Sequence, residues 1–328
     1  MNLNDVIFYR KNGYMPYPKT LQLEITRRCP FCCPQCYKQE IAEKDQDFEY
    51  LKGIIEEAYK NGTRLYVLNG GEPLLYPYIK DLLLLFENYN DTVINCFTSG
   101  YGLTDEIIEI LKKNLNIHFY LSLNGSTAEI NGYSRQGYNI TIEAMEKLSK
   151  ANCTFNLNWV ARHDNVDDFD KLLDMTRRFA IRTVSVTLNK LVGRILDIES
   201  NINKEDYLSL AEIIKNRKDV EIVVESCYPQ LAKYIYGSTK VSDCFAGIFN
   251  CMVTIDRKFA PCTFLVDYAE SFDNIMDYWE NSSILQKLRN RKKCKGCEFN
   301  CRFCCAISYD SYVDFKDSLE NCFMFELD

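Results

Sequence analysis

Cys29, Cys33 and Cys36 are spaced Cys-x3-Cys-x2-Cys within the stretch LQLEITRRCPFCCPQCY, residues 21–37. Three thiolates on one short loop suit an iron–sulfur cluster, because soft sulfur ligands hold iron well. They are one short of the four that close a cluster, so one iron stays open to another ligand. A zinc site would instead pair Cys-x2-Cys with a second close pair. Cys32 lies inside the same loop and is also compatible with sulfur ligation. A second field of nine cysteines occupies the last 85 residues: Cys244, Cys251, Cys262, Cys294, Cys297, Cys301, Cys304, Cys305 and Cys322. Eight of them would close two four-cysteine clusters, while Cys294-x2-Cys297 is also a fair half-site for a zinc ribbon.

Other residues offer polar groups at suggestive places. Gly70-Gly71-Glu72-Pro73 reads as a tight strand exit with a carboxylate. Ser122 in YLSLNG and Arg135 in NGYSRQG supply a hydroxyl and a guanidinium. Asn156 and Asn158 share one face of a strand pattern. His118 and His163 are the only histidines, so general histidine acid–base chemistry is not expected and both read as structural. Cys96 and Cys153 fall on strand patterns and read as core thiols. Cys227 is left over, either packed or reactive. The basic run from Lys287 to Lys295 lacks interleaved aromatics, so it reads as a solvated helix end rather than a nucleic-acid surface.

These groups must be positioned by alternating strands and helices. Leu21, Leu23 and Ile25 alternate with Gln22, Glu24 and Thr26, a strand leading into the first cysteine. A helix over Asp47–Asn61 has Leu51, Ile54, Ile55 and Ala58 on one face and stops at Gly62. Strand patterns RLYVLN, TVINCFTSG, IHFYLSLNG, CTFNLNWVA and TVSVTL follow, each separated by a helical pattern. Six strands and five long crossovers predict an α/β fold with a parallel sheet, a partial (β/α)6 TIM-like barrel. The cysteine loop, the Gly70 turn and the segment after Ser122 all fall at C-terminal strand ends, where such folds place chemistry. A helical pattern at Tyr207–Asn216 and a strand pattern EIVVES come next. The expected units are an arm over 1–19, the barrel over 20–195, a bridging region over 196–242 and a cysteine-rich domain over 243–328.

A chain of 328 residues is long enough for roughly two domains and a substantial core. A formal net charge of −7 argues against a general nucleic-acid binder. No run approaches the roughly 18 apolar residues of a membrane span and no signal segment follows Met1, so a cytoplasmic protein is expected. Sixteen cysteines in such a chain point to metal rather than disulfides.

The cysteine loop resembles that of the radical S-adenosylmethionine (SAM) superfamily, whose signature is this spacing after the first barrel strand. The resemblance implies that SAM chelates the open iron of a 4Fe–4S cluster. One electron then cleaves the sulfonium, and a 5′-deoxyadenosyl radical takes hydrogen from substrate. Gly70, Gly71 and Glu72 resemble the family segment that hydrogen-bonds the SAM amino group, with glycine needed for close backbone approach. Ser122 and Arg135 resemble the positions that steady the SAM carboxylate, which a hydroxyl and a guanidinium fork suit. Leu191, within LVGR, resembles adenine-side packing. The chain departs from the family at Gln35, where an aromatic is usual, and at Asn124, where many relatives have Asp; the second departure bears on substrate.

The C-terminal spacing resembles the SPASM extension, which implies two auxiliary 4Fe–4S clusters and three clusters in all. Cys244, Cys251, Cys262 and Cys305 match one set, with Cys304 the alternative to Cys305, which the spacing from Cys301 favours. Cys294, Cys297, Cys301 and Cys322 match the other. The implied function is oxidative modification of a ribosomally made peptide, giving a thioether or carbon–carbon crosslink. The implied partners are the peptide, a separate leader-binding protein and an external one-electron donor of flavodoxin or ferredoxin type, with no nucleic acid and no membrane. Alternatives are small-molecule alcohol dehydrogenation, and peptide epimerisation with Cys227 as catalytic hydrogen donor. From another class comes a non-catalytic iron–sulfur electron carrier. Thr263 follows Cys262 where a sulfatase maturase would place an aspartate base.

Overall fold

A computed structural model describes residues 3–38, 41–190, 192–194, 200–225, 231, 235 and 244–290. Leu191, Cys227 and the cysteines from Cys294 onward lie outside these residues. The fold is built on a nine-stranded sheet in the order β7-β6-β5-β4-β3-β2-β1-β8-β9. The first six strands are β1 (Thr20–Thr26), β2 (Leu65–Gly70), β3 (Val93–Thr98), β4 (Ile117–Ser122), β5 (Phe155–Ala161) and β6 (Ile181–Leu188). All pair in parallel with their sequence neighbours. The six predicted strands are therefore present, in the expected order and sense.

The sheet runs further than six strands. β7 (Glu221–Val224) adds in parallel beside β6, and β8 (Asn250–Val253) adds in parallel beside β1. β9 (Phe259–Ala260) turns back antiparallel on β8. Segments from the bridging region and from the cysteine-rich region thus extend the same sheet at its two ends. Among the described residues the ladder is open at β7 and β9.

The alternation in β1 sorts its two faces. Leu21, Leu23 and Ile25 are fully buried in one apolar cluster with Leu51, Ile55 and Ala58 of the helix Phe48–Lys60. Asp47 caps that helix by accepting from Tyr50 N–H at 2.8 Å. The opposite face carries Gln22 and Glu24, which line cavities. One strand thereby serves the core and the site.

The arm is also structured. A helix over Leu3–Asn12 is held by the Asp5–Lys19 ion pair at 3.0 Å and by Tyr9 against Phe249. The backbone of Met15 and Lys19 then donates to Ile248 and Phe249 carbonyls beside β8. The helix has almost no amphipathic contrast, which is why periodicity does not reveal it. No helix among the described residues is long and apolar enough to cross a membrane.

Candidate active site

The loop bearing Cys29, Cys33 and Cys36 leaves β1 and is held by three distant segments. At its stem, Gly71 N–H donates to Thr26 O (2.8 Å) and Glu72 N–H to Arg28 O (2.6 Å). At its middle, Gln35 N–H donates to Ser134 O (3.2 Å) and Cys32 N–H to Gln136 Oε1 (2.9 Å). At its exit, Arg194 N–H donates to Cys36 O (3.0 Å). Glycine is required at these contacts. A Cβ on Gly71 would lie 2.3 Å from Arg28 O, and one on Gly193 2.3 Å from Tyr37 O. The close approach made by Gly71 is to the stem of the cysteine loop, within the chain itself.

Cys29, Cys33, Cys36, Gly70, Gly71, Glu72, Ser122 and Arg135 all line one cavity of about 320 Å³. Burial pushes the Cys29 thiol up to about 11, with smaller upward contributions from Glu72, Cys33 and Cys36. Three thiols lining one cavity favour a cationic partner that would draw off their protons. Among the described residues, no three His, Cys, Asp or Glu side chains surround a single-ion position. A cubane makes a different demand, one thiolate to each iron.

Each remaining predicted residue has a definite setting. Glu72 is buried, and its carboxylate accepts from Thr98 and Ser99 hydroxyls, Ser99 N–H (2.8 Å) and Leu74 N–H (3.2 Å). Burial pushes its pKa up and these donors pull it down. Four donors fill the lone-pair sites of a carboxylate, so Glu72 joins the ends of β2 and β3, and its backbone faces the cysteine stem. Arg135 Nε is buried without a partner among the described residues, which fits an anionic ligand group. Asn124 does not line the cavity. It donates to Ser134 Oγ (2.9 Å) and accepts from Val160 N–H (3.1 Å), a structural tie within the fold. Asn158 lines the cavity on β5, with Thr187 donating to it.

Several cavity residues carry no signal in the sequence. Lys190 is almost wholly enclosed. It donates to Glu225 (2.6 Å), and its ammonium lies 4.4 Å from the Phe264 ring centre. Thr263 donates to Gln22 Oε1 (2.6 Å) and accepts from Asn69 (3.1 Å), so its hydroxyl is engaged as a tie rather than as a base. Phe264 stands edge-on to Tyr37, the residue after Cys36. Lone charged or aromatic residues near strand ends give no pattern to read, and their convergence depends on sheet order.

In the second cysteine field, Cys244 and Cys251 are buried and Cys262 is half-buried. Cys251 lies on β8, and Cys262 follows the β8–β9 hairpin. The Tyr278 hydroxyl is pushed up first by burial and then by Cys251, with Cys262 a smaller contributor. Cys96 and Cys153 are buried, as expected of packed thiols.

Residues 23–176 match the sequence model of the radical SAM superfamily. The AdoMet-dependent heme synthase of Methanosarcina barkeri (strain Fusaro / DSM 804) is 23% identical over 337 residues, covering 93% of this chain and 96% of that protein. The fold is similar to Streptococcus suis SuiB bound to precursor peptide SuiA, with a TM-score of 0.76 at 18% identity over 90% of this chain and 72% of SuiB. It is also similar to anSMEcpe with bound AdoMet, with a TM-score of 0.67 at 19% identity over 90% of this chain and 88% of that one.

Proposed function

We propose that the chain is a radical SAM enzyme of the SPASM type that oxidatively modifies a ribosomally made peptide. The observation that carries the reading is the convergence of the cysteine loop with Gly70, Gly71, Glu72, Ser122 and Arg135 on one cavity. In it, Cys29, Cys33 and Cys36 would hold a 4Fe–4S cluster, and Arg135 with Ser122 would steady the SAM carboxylate. Because the carboxylate of Glu72 is filled, the amino group of SAM would meet the backbone of the Gly70–Glu72 segment. When bound, cluster and SAM supply a carbon radical able to take a hydrogen atom. The protein's part is to orient the substrate carbon and keep water away, and Asn158, Thr187, Lys190 and Phe264 stand along the cavity for that. A peptide substrate is favoured by the fold shared with SuiB, whose structure holds its precursor peptide. The separate leader-binding partner, the one-electron donor and the auxiliary clusters belong to the same proposal.

The test is anaerobic reconstitution followed by measurement of 5′-deoxyadenosine and methionine. Single Cys29→Ala, Cys33→Ala and Cys36→Ala variants should lose cleavage altogether, because the open iron goes with its cluster. Retained cleavage in any of them refutes the assignment. A second reading, a non-peptide substrate, is favoured by the likeness to a heme synthase along nearly the whole chain. Incubation with candidate peptide precursors and with tetrapyrroles separates the two by which one changes mass.

A further inference from the structure

We propose that Gln136 sets the reduction potential of the loop's cluster by aiming a backbone N–H at Cys33. The inference rests on the cluster assignment above. Gln136 N–H donates to Cys33 Sγ at 3.4 Å, and the Gln136 side chain accepts from Cys32 N–H at 2.9 Å. One residue thus grips two successive loop positions, by its main chain and by its side chain. The side-chain bond fixes the loop laterally, and the main-chain donor then points at the ligand sulfur. The flanking residues keep that aim. Ser134 O takes the Gln35 N–H, and Gly137, at φ +83°, leaves room for Phe31 where a Cβ would lie 2.5 Å from the ring.

A hydrogen bond to a ligating thiolate withdraws electron density from iron. It favours the more negative reduced state and so raises the potential. Gln136 comes from outside the loop, next to Arg135 in the cavity wall. Its side chain is exposed, so replacing it leaves the core intact. Gln136 is therefore a positioning residue, which acts through Cys33.

The experiment uses the full chain, reconstituted anaerobically and titrated with a one-electron chemical reductant. The paramagnetic signal that changes on adding SAM identifies the loop's cluster. The Gln136→Leu protein should keep this signal while its midpoint shifts to a more negative potential. It should also lose an exchangeable-deuteron coupling that the wild-type protein shows after transfer to heavy water. The milder Gln136→Asn, one methylene short of Cys32, should move in the same direction and decides the matter if the leucine protein does not load iron. A wild-type potential and unchanged deuteron couplings in whichever variant loads overturn the inference, as does a wild-type protein with no such coupling. If wild-type protein gives no SAM-sensitive signal, the cluster assignment itself is overturned, and this inference with it.

Discussion

At the scale of single residues, the site depends on contacts that leave no spare volume. The Cβ of Gly71→Ala would fall 2.3 Å from Arg28 O, so the stem of the cysteine loop must move. Overpacking of this kind costs about 1–3 kcal/mol. The expected outcome is a folded protein with reduced iron in its loop, read by metal analysis beside circular dichroism. The Lys190–Glu225 pair gives a different signature. Glu225→Leu leaves an enclosed ammonium beside Phe264 with its carboxylate partner gone, and breaking one side of a buried pair costs roughly 3–5 kcal/mol. Glu225 keeps some exposure, so the loss should fall at or below the lower end. The double variant Lys190→Met, Glu225→Leu should recover much of it. Denaturant unfolding of the wild type, the two single variants and the double variant closes the cycle, and a double-variant loss equal to the sum of the single losses would show that the pair has no coupling.

At the scale of elements, helix starts and strand register place the functional groups. The helix Lys204–Asn216 between β6 and β7 begins with a capping box, Asn203 and Asp206 each accepting from the other's backbone. Asn203→Ala should cost about 1 kcal/mol, seen as a lower melting temperature. His163 bonds the same Asp206 at 2.7 Å, and that bond raises its pKa, with smaller support from Asp164 and Asp167. A raised folded pKa means stability that is present below the ordinary imidazole value and lost as pH climbs through the raised one. Melting temperature should therefore fall more between about pH 6 and about pH 8 in wild type than in His163→Gln. An identical fall in both proteins would remove His163 from the account.

At the scale of the whole molecule, metal content and product mass test the largest claims. Three clusters predict about twelve irons per chain, and about eight after loss of Cys29, Cys33 and Cys36. Stoichiometric zinc in place of iron would end the cluster reading. If auxiliary clusters accept the departing electron, the product should be lighter by about two mass units, for two hydrogens removed. Unchanged mass with one deuterium gained from heavy water, lost in Cys227→Ala, would establish epimerisation. The sequence by itself determined what is written at short range. Ligand spacing within one loop, strand alternation and helix periodicity act over a few residues, so Cys29, Cys33, Cys36 and six parallel strands were legible in it. The tertiary structure alone decided the rest. It turned the Gly71 contact toward Arg28, tied Asn124 into the wall, set Gln136 on Cys33 and brought Lys190, Glu225 and Phe264 to one cavity. It also laid β7 and β8 on the two ends of the sheet. These meetings depend on which strand lies beside which and in what register. That choice is made by packing the whole sheet and follows from no local pattern.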